Sequence, residues 1–177
     1  MMAETESQVT FFFTPVQEVH VREILTWQYD PPYHIYNPGS GDVENDVRYF
    51  LDPQTNCYAL IGWNGELVAY CTFGRDARVP GGDYRTEALD MGLGVRPDLT
   101  GQGRGIVFAR AVLEFVRERF APVACRVTVA AFNQRARRVW EKAGFRRIQA
   151  FRRTKDGMPF VILAYESPSL PDSHTGG

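Results

Sequence analysis

The run Val95-Arg96-Pro97-Asp98-Leu99-Thr100-Gly101-Gln102-Gly103-Arg104-Gly105 constrains this chain more than any other stretch. An apolar segment ends at a proline. Within a few residues a glycine-rich turn opens a long helix, with Ile106, Val107, Ala109, Val112, Leu113 and Val116 at helical spacing. Such a turn lets bare backbone N–H groups converge on an anion, and the helix dipole adds roughly half a positive charge at the same point. A phosphate group is the natural guest.

Three kinds of phosphate-binding turn compete for this pattern. The Walker type needs Lys-Ser or Lys-Thr after its glycines, and neither follows here. The dinucleotide type needs Gly-x-Gly-x-x-Gly and an acidic residue closing the next strand. The spacing here is Gly101-x-Gly103-x-Gly105, and the next apolar strand, Val123 to Ala130, carries no carboxylate. Both nucleotide readings fail.

The third kind fits. Strand, Val95-x-Pro97, then Thr100-Gly101-Gln102-Gly103-Arg104-Gly105 resembles the acyl-CoA-binding signature of the GCN5-related N-acetyltransferases (GNAT), with Thr100 in place of the usual Gln or Arg. Glycines alone also mark ordinary turns, so a second motif is needed. It comes about thirty residues on, as Asn133-Gln134-Arg135-Ala136-Arg137-Arg138-Val139-Trp140-Glu141-Lys142-Ala143-Gly144-Phe145. This is similar to the family's Asn-x-x-Ala-x-x-x-Tyr-x-x-x-Gly-Phe. Asn133, Ala136 and Trp140 lie about a turn apart on one helical face. The resemblance implies a single α/β (α+β) domain with a mixed, mostly antiparallel sheet of about seven strands, flanked by about four helices.

Bulk properties narrow the function classes. At 177 residues the chain suits one well-buried domain. A net charge of −1 offers no long-range field for a polyanion, which argues against nucleic acid as main partner. The basic cluster from Arg135 to Arg153 has two readings. It is either a solvated face, or a place where Arg137 or Arg138 meets a ribose phosphate. Cys57, Cys71 and Cys125 are odd in number and each sits in an apolar pattern, reading as buried free thiols. No Cys/His spacing suits a metal, and the apolar runs are too short for a membrane span. The polar start has no signal-peptide core, so the expectation is a soluble, cytoplasmic protein. A homodimer is left open.

Along the chain, Val9–Phe13 reads as a strand. Thr14-Pro15-Val16-Gln17 reads as the start of a helix to Trp27, through a capping box with proline in the first turn. A loop rich in Tyr, Pro and Gly follows, then a helix from Asp42 to Leu51. Asn64-Gly65 marks a hairpin of strands 56–63 and 66–73. Strands at 87–95, 123–130, 145–153 and 160–165 and helices at 103–120 and 133–143 complete the pattern. Residues 1–167 are then the domain and 168–177 a flexible polar tail.

The resemblance also implies a mechanism. Acetyl-CoA is the co-substrate and an amine the acceptor. The strand ending at Val95 parts from the Val123 strand, and Leu93, Gly94 and Val95 hold the pantetheine arm like a missing strand. The Val95 N–H then steadies charge developing on the thioester oxygen. N–H groups from Gln102 to Ile106, in the turn Thr100, Gly101, Gln102, Gly103, Arg104, Gly105, take the diphosphate. Asn133, Ala136, Arg137 and Trp140 line the cofactor. Gly103 and Gly105 are read as letting a ligand approach, and Gly92 and Gly94 as leaving room beside it.

Proton transfer is where the chain departs from the family. The usual tyrosine acid is Trp140, and the place of a Glu base in some relatives is Thr128. Asp90 and Glu87 remain as base candidates, although a carboxylate in a strand is as readily an edge or ion-paired residue. Trp27, Tyr29, Tyr33 and Tyr36 sit where relatives bind the acceptor. They read either as its aromatic wall or as pins holding a loop to the core. Without a clear base a weakly basic amine is favoured. At pH 7 an α-amine (pKa ~7.7) is roughly one-sixth neutral, against about 4 in 10,000 for lysine. Two rival readings remain: a CoA-binding module without turnover, and a protein-interaction domain using the aromatic loop.

Overall fold

A computed structural model describes residues 10–167. Seven strands form one sheet: β1 (Phe12–Pro15), β2 (Cys57–Ile61), β3 (Leu67–Phe73), β4 (Leu89–Val95), β5 (Ala124–Ala130), β6 (Arg146–Arg152) and β7 (Pro159–Glu166). Their order is β1-β2-β3-β4-β5-β7-β6. Only β4 and β5 run parallel; every other pair is antiparallel. The crossover between the parallel pair is α3 (Gly105–Arg119), as a parallel connection requires. Its stripe of Phe108, Ala109, Val112, Leu113 and Val116 is buried against Cys71, Phe73, Met91, Cys125, Val127 and Leu163. The helix α4 (Gln134–Lys142) shares that face.

The opposite face is covered in two parts. Over β2 and β3 lie α1 (Glu18–Ile24) and α2 (Val43–Leu51), through Val21, Ile24, Val47 and Phe50. Over β4, β5 and the β6–β7 hairpin lies the long segment from Arg75 to Thr86. The Pro80 carbonyl accepts from the Thr154 N–H (2.9 Å), and a Gln149 side-chain oxygen accepts from the Asp83 N–H (2.9 Å).

The first helix ends at Ile24, short of the expected Trp27, and two further boundaries differ from expectation for physical reasons. Thr14 and Pro15 belong to β1, paired with Ala59 and Tyr58, so the capping box expected at Thr14 does not form. The edge position tolerates a proline without an N–H, and α1 starts instead at Gln17, whose N–H is taken by His20 Nδ1 (3.1 Å). Strand β4 begins at Leu89, leaving Glu87 in the preceding loop. Helices α2 and α4 are capped by the residues at which the sequence starts them: Asp42 accepts from the Asn45 N–H and Asn133 from the Ala136 N–H, each at 3.1 Å. Cys57, Cys71 and Cys125 are free and buried. Among the described residues no helix is long and apolar enough to cross a membrane. The tail expected over 168–177 lies outside the described residues.

Candidate functional site

The parallel pair makes the cleft. Strands β4 and β5 stay in register at Leu89–Cys125, Asp90–Arg126 and Met91–Val127 and then part. On the other side β4 stays zipped to β3 as far as Val95. The Asp90 carbonyl accepts from the Gly74 N–H (2.8 Å), and the Arg96 N–H donates to Val68 (2.9 Å). Antiparallel ladders alternate, so even positions of β4 bond to β3, while Leu93 and Val95 turn their N–H and C=O groups toward the gap. Two of the gap-facing groups are taken by tyrosines of one loop. The Tyr29 hydroxyl donates to the Val95 carbonyl (2.7 Å), and the Ala130 N–H donates to the Tyr36 hydroxyl (3.0 Å). The Leu93 N–H and C=O and the Val95 N–H remain toward the opening.

Below Val95 the chain makes a tight turn at Pro97–Leu99. The Thr100 hydroxyl donates to the Pro97 carbonyl and the Gln102 amide to the Asp98 carbonyl, each at 2.7 Å. Gly101 and Gly103 then adopt φ of +72° and +73°, a region that disfavours any side chain. Arg104 precedes α3 without a side-chain cap, so the first-turn N–H groups at Gly105 and Ile106 stay available to an anion.

Several glycines have a different purpose from the one read in the sequence. A Cβ at Gly105 would lie 2.8 Å from Val139 Cγ2, so that glycine lets α3 pack on α4. A Cβ at Gly94 would lie 2.4 Å from Cε1 of Tyr70, and one at Gly92 2.8 Å from the Thr72 hydroxyl. The protein's own side chains fill the space assigned there to a ligand.

The second motif is likewise partly structural. Asn133 caps α4, with Ala136 half-buried one turn on. Trp140 is buried in the core with its ring edge-on to Phe145 (5.0 Å), which removes it from the cofactor-lining set. Arg137 reaches back toward the Ala131 carbonyl (3.4 Å) and Arg138 toward Gln134 (3.5 Å). The arginine beside the glycine turn is Arg135. A Cβ at Gly101 would touch its Nη1 at 2.9 Å, and its guanidinium lies 4.0 Å from the Tyr33 ring centroid. Sequence reading missed it because the face set by Asn133, Ala136 and Trp140 lies nearest Arg137, with Arg135 more than a quarter-turn away from it.

Neither carboxylate base candidate stands at the gap. Asp90 is 2% exposed and clamped by two arginines. Arg126 donates to it through Nε and Nη2 (2.8 and 3.0 Å) and Arg78 through Nε (2.7 Å). Both guanidinium groups also face the Tyr84 ring, at 5.3 and 5.4 Å. Glu87 is exposed and lies in the loop before β4, whose own span from Leu89 to Val95 is about 20 Å. Thr128 meets the Tyr84 hydroxyl at 2.9 Å, which also accepts from the Val79 N–H (2.9 Å). Arg78, Tyr84 and Arg126 had no motif to announce them.

The aromatic loop is pinned rather than loose. Trp27 is buried against Tyr70 (5.9 Å), and Tyr33 packs on Phe132 (5.9 Å) under Arg135. The far end is tied by Asp46, which accepts from the Ser40 N–H and hydroxyl (2.8 Å each). Burial pushes the Tyr29 hydroxyl up to about 12 and raises that of Tyr36. Both therefore stay neutral at the mouth of the cleft. Among the described residues no group of three His, Cys, Asp or Glu side chains could hold a metal.

A family model described as the acetyltransferase (GNAT) family matches residues 20–145, across both motifs and the parted strands. The chain belongs to the GNAT acetyltransferase family. Solved GNAT-fold structures agree in fold. An acetyltransferase of the GNAT family from Bacillus anthracis superposes with a TM-score of 0.68 at 17% identity, covering 89% of this chain and 97% of its own. AAC(6')-Ib in complex with ribostamycin and coenzyme A gives 0.71 at 17% identity, covering 95% and 99%. A spermidine N-acetyltransferase chimera built in part from Vibrio cholerae gives 0.69 at 12% identity, covering 90% and 96%. No curated protein matches the sequence.

Proposed function

We propose that this GNAT protein transfers an acetyl group from acetyl-CoA to a primary amine by direct attack. Support comes above all from one observation: two parallel strands part and leave the Leu93 and Val95 backbone groups facing a gap that ends at an uncapped helix start. Coenzyme A is bound by AAC(6')-Ib, whose chain superposes on this one. The residues here fit the same guest. The Leu93 N–H and C=O hold the pantetheine amides. Thr100, Gly101, Gln102, Gly103, Arg104, Gly105 and Ile106 receive the diphosphate, with the Arg135 guanidinium beside the turn. Asn133 and Ala136 border the arm.

Acetyl-CoA supplies an activated acyl carbon and a thiol able to leave as its anion. The Val95 N–H donates to the acyl oxygen as charge grows on it. The amine nitrogen bonds to the acyl carbon, the carbon–sulfur bond breaks, and the proton lost from nitrogen passes to water. Of the two carboxylates read as base candidates, Asp90 is clamped by two arginines and Glu87 lies in the loop before β4. Rate therefore comes chiefly from placing the two reactants together, which favours an amine with an appreciable neutral fraction.

The clamped Asp90, with Trp140 buried in place of the family's tyrosine, is the observation that favours a second reading, coenzyme A binding without turnover. Following free thiol released from acetyl-CoA across a panel of amines separates the two. Amine-dependent release supports transfer. Coenzyme A binding with no release from any amine supports the second reading.

A further inference from the structure

A second concavity lies on the acceptor face. It encloses about 270 Å³ and is lined by Arg78, Val79, Pro80, Arg153 and Lys155. Its walls are fixed: the Pro80 carbonyl accepts from the Thr154 N–H (2.9 Å), and a Cβ at Gly81 would lie 2.4 Å from the Arg152 carbonyl. The charges nearby are Arg78, Arg126, Arg153 and Lys155 against Asp90 and Asp156. Asp90 is already shared by Arg78 and Arg126, and Asp156 is held by Arg153 at 2.6 and 2.9 Å. An excess of two positive charges remains around this cavity.

Position ties this cavity to the cleft. Arg153 lies over the Phe160 ring (5.2 Å), and Phe160 pairs with Ala130, the residue whose N–H is held by Tyr36 at the cleft mouth. The charge of Arg153 also reaches the Tyr36 hydroxyl, partly offsetting the effect of its burial. Arg78 joins the cavity to Asp90 on β4. The glycine turn, by contrast, belongs with α3 and α4 on the other side of the sheet. This cluster is thus separate from the cations available to the cofactor's phosphates.

We propose that the acceptor is a small amine carrying an anionic group, such as a carboxylate, held between Arg78, Arg153 and Lys155. The proposal rests on the acetyl-transfer reading and names its substrate class. An anion gains from the positive excess, while a polyamine or aminoglycoside brings further positive charge to it. A free amino acid or a longer amino-carboxylate has the required character.

The test compares amino-carboxylates of increasing chain length, their methyl esters, spermidine and ribostamycin. Two readouts are used, acetyl-CoA-dependent thiol release and titration calorimetry of each amine with the coenzyme A-loaded protein. Acids are expected to bind and react about tenfold better than their esters. Lys155→Glu is expected to abolish that preference and Lys155→Arg to keep it, with the coenzyme A dissociation constant unchanged in both variants. Esters or polycations bound and acetylated as well as the acids, with coenzyme A bound normally, would overturn this proposal and leave the parent reading intact. Failure to bind coenzyme A would remove both.

Discussion

The two sides of the cleft are built from different materials. The cofactor side is main chain: the parted ends of β4 and β5, two glycines at positive φ, and a helix start with no cap. The side we propose for the acceptor is side chain: four aromatic residues of one loop, a clamped carboxylate, and a tyrosine between two arginines. Backbone recognition needs little beyond glycine and register, so it leaves a compact signature in sequence. Side-chain recognition assembles residues from distant segments and leaves none. Substitution on that side should therefore cost most in stability where charges are sealed.

Removing the guanidinium that faces Asp90 is the most severe test of that contrast. Arg126→Met leaves a buried carboxylate with one partner and should cost about 3–5 kcal/mol, read from urea unfolding. Removing both charges with Asp90→Asn and Arg126→Gln should cost less than the two single changes added together. The single Asp90→Asn variant should lower stability while leaving the pH–rate profile in place. A profile that loses its acid limb would return Asp90 to the role of base.

Next in size is the backbone side. Gly103→Ala forces a side chain into positive φ at a cost of about 1–2 kcal/mol. Because nothing crowds that Cβ, the fold should persist while coenzyme A affinity falls. Unchanged affinity would detach the turn from cofactor binding. Smaller still are the tyrosines at the lips. Tyr29→Phe and Tyr36→Phe should each cost about 0.5–1.5 kcal/mol, with hydrogen exchange rising across the loop from Trp27 to Pro38.

The mildest effect is alkaline. Desolvation raises the Cys57 thiol to about 12, the Cys125 thiol to about 11 and the Tyr29 hydroxyl to about 12. These groups ionise first in the unfolded chain. Stability is thus fully present below pH 9 and declines as pH rises from 9 toward 12. Cys57→Ala should flatten part of that decline in pH-dependent unfolding curves, and an identical slope would contradict the assignment.

What was readable in the sequence follows the same division. Helix α3, the Asn64-Gly65 hairpin, the start of α4 and the glycine turn all rest on local spacing, and each lies where the sequence places it within a residue or two. Thr14-Pro15 misled because pairing with Ala59 and Tyr58, far along the chain, outweighs a local cap. Strand alternation put Asp90 on the face of Gly92 and Gly94, but its partners are 12 and 36 residues away, so its neutralisation was invisible. Gly94 showed that a side chain was unwelcome without showing that Tyr70 was the reason.

Backbone amide resonances followed during titration with coenzyme A test the central claim most directly. Shifts concentrated at Leu93, Val95 and the amides from Gly101 to Ile106, with α1 and α2 unmoved, are the expected result. Saturable binding that leaves those amides unperturbed, or no binding at all, would contradict it.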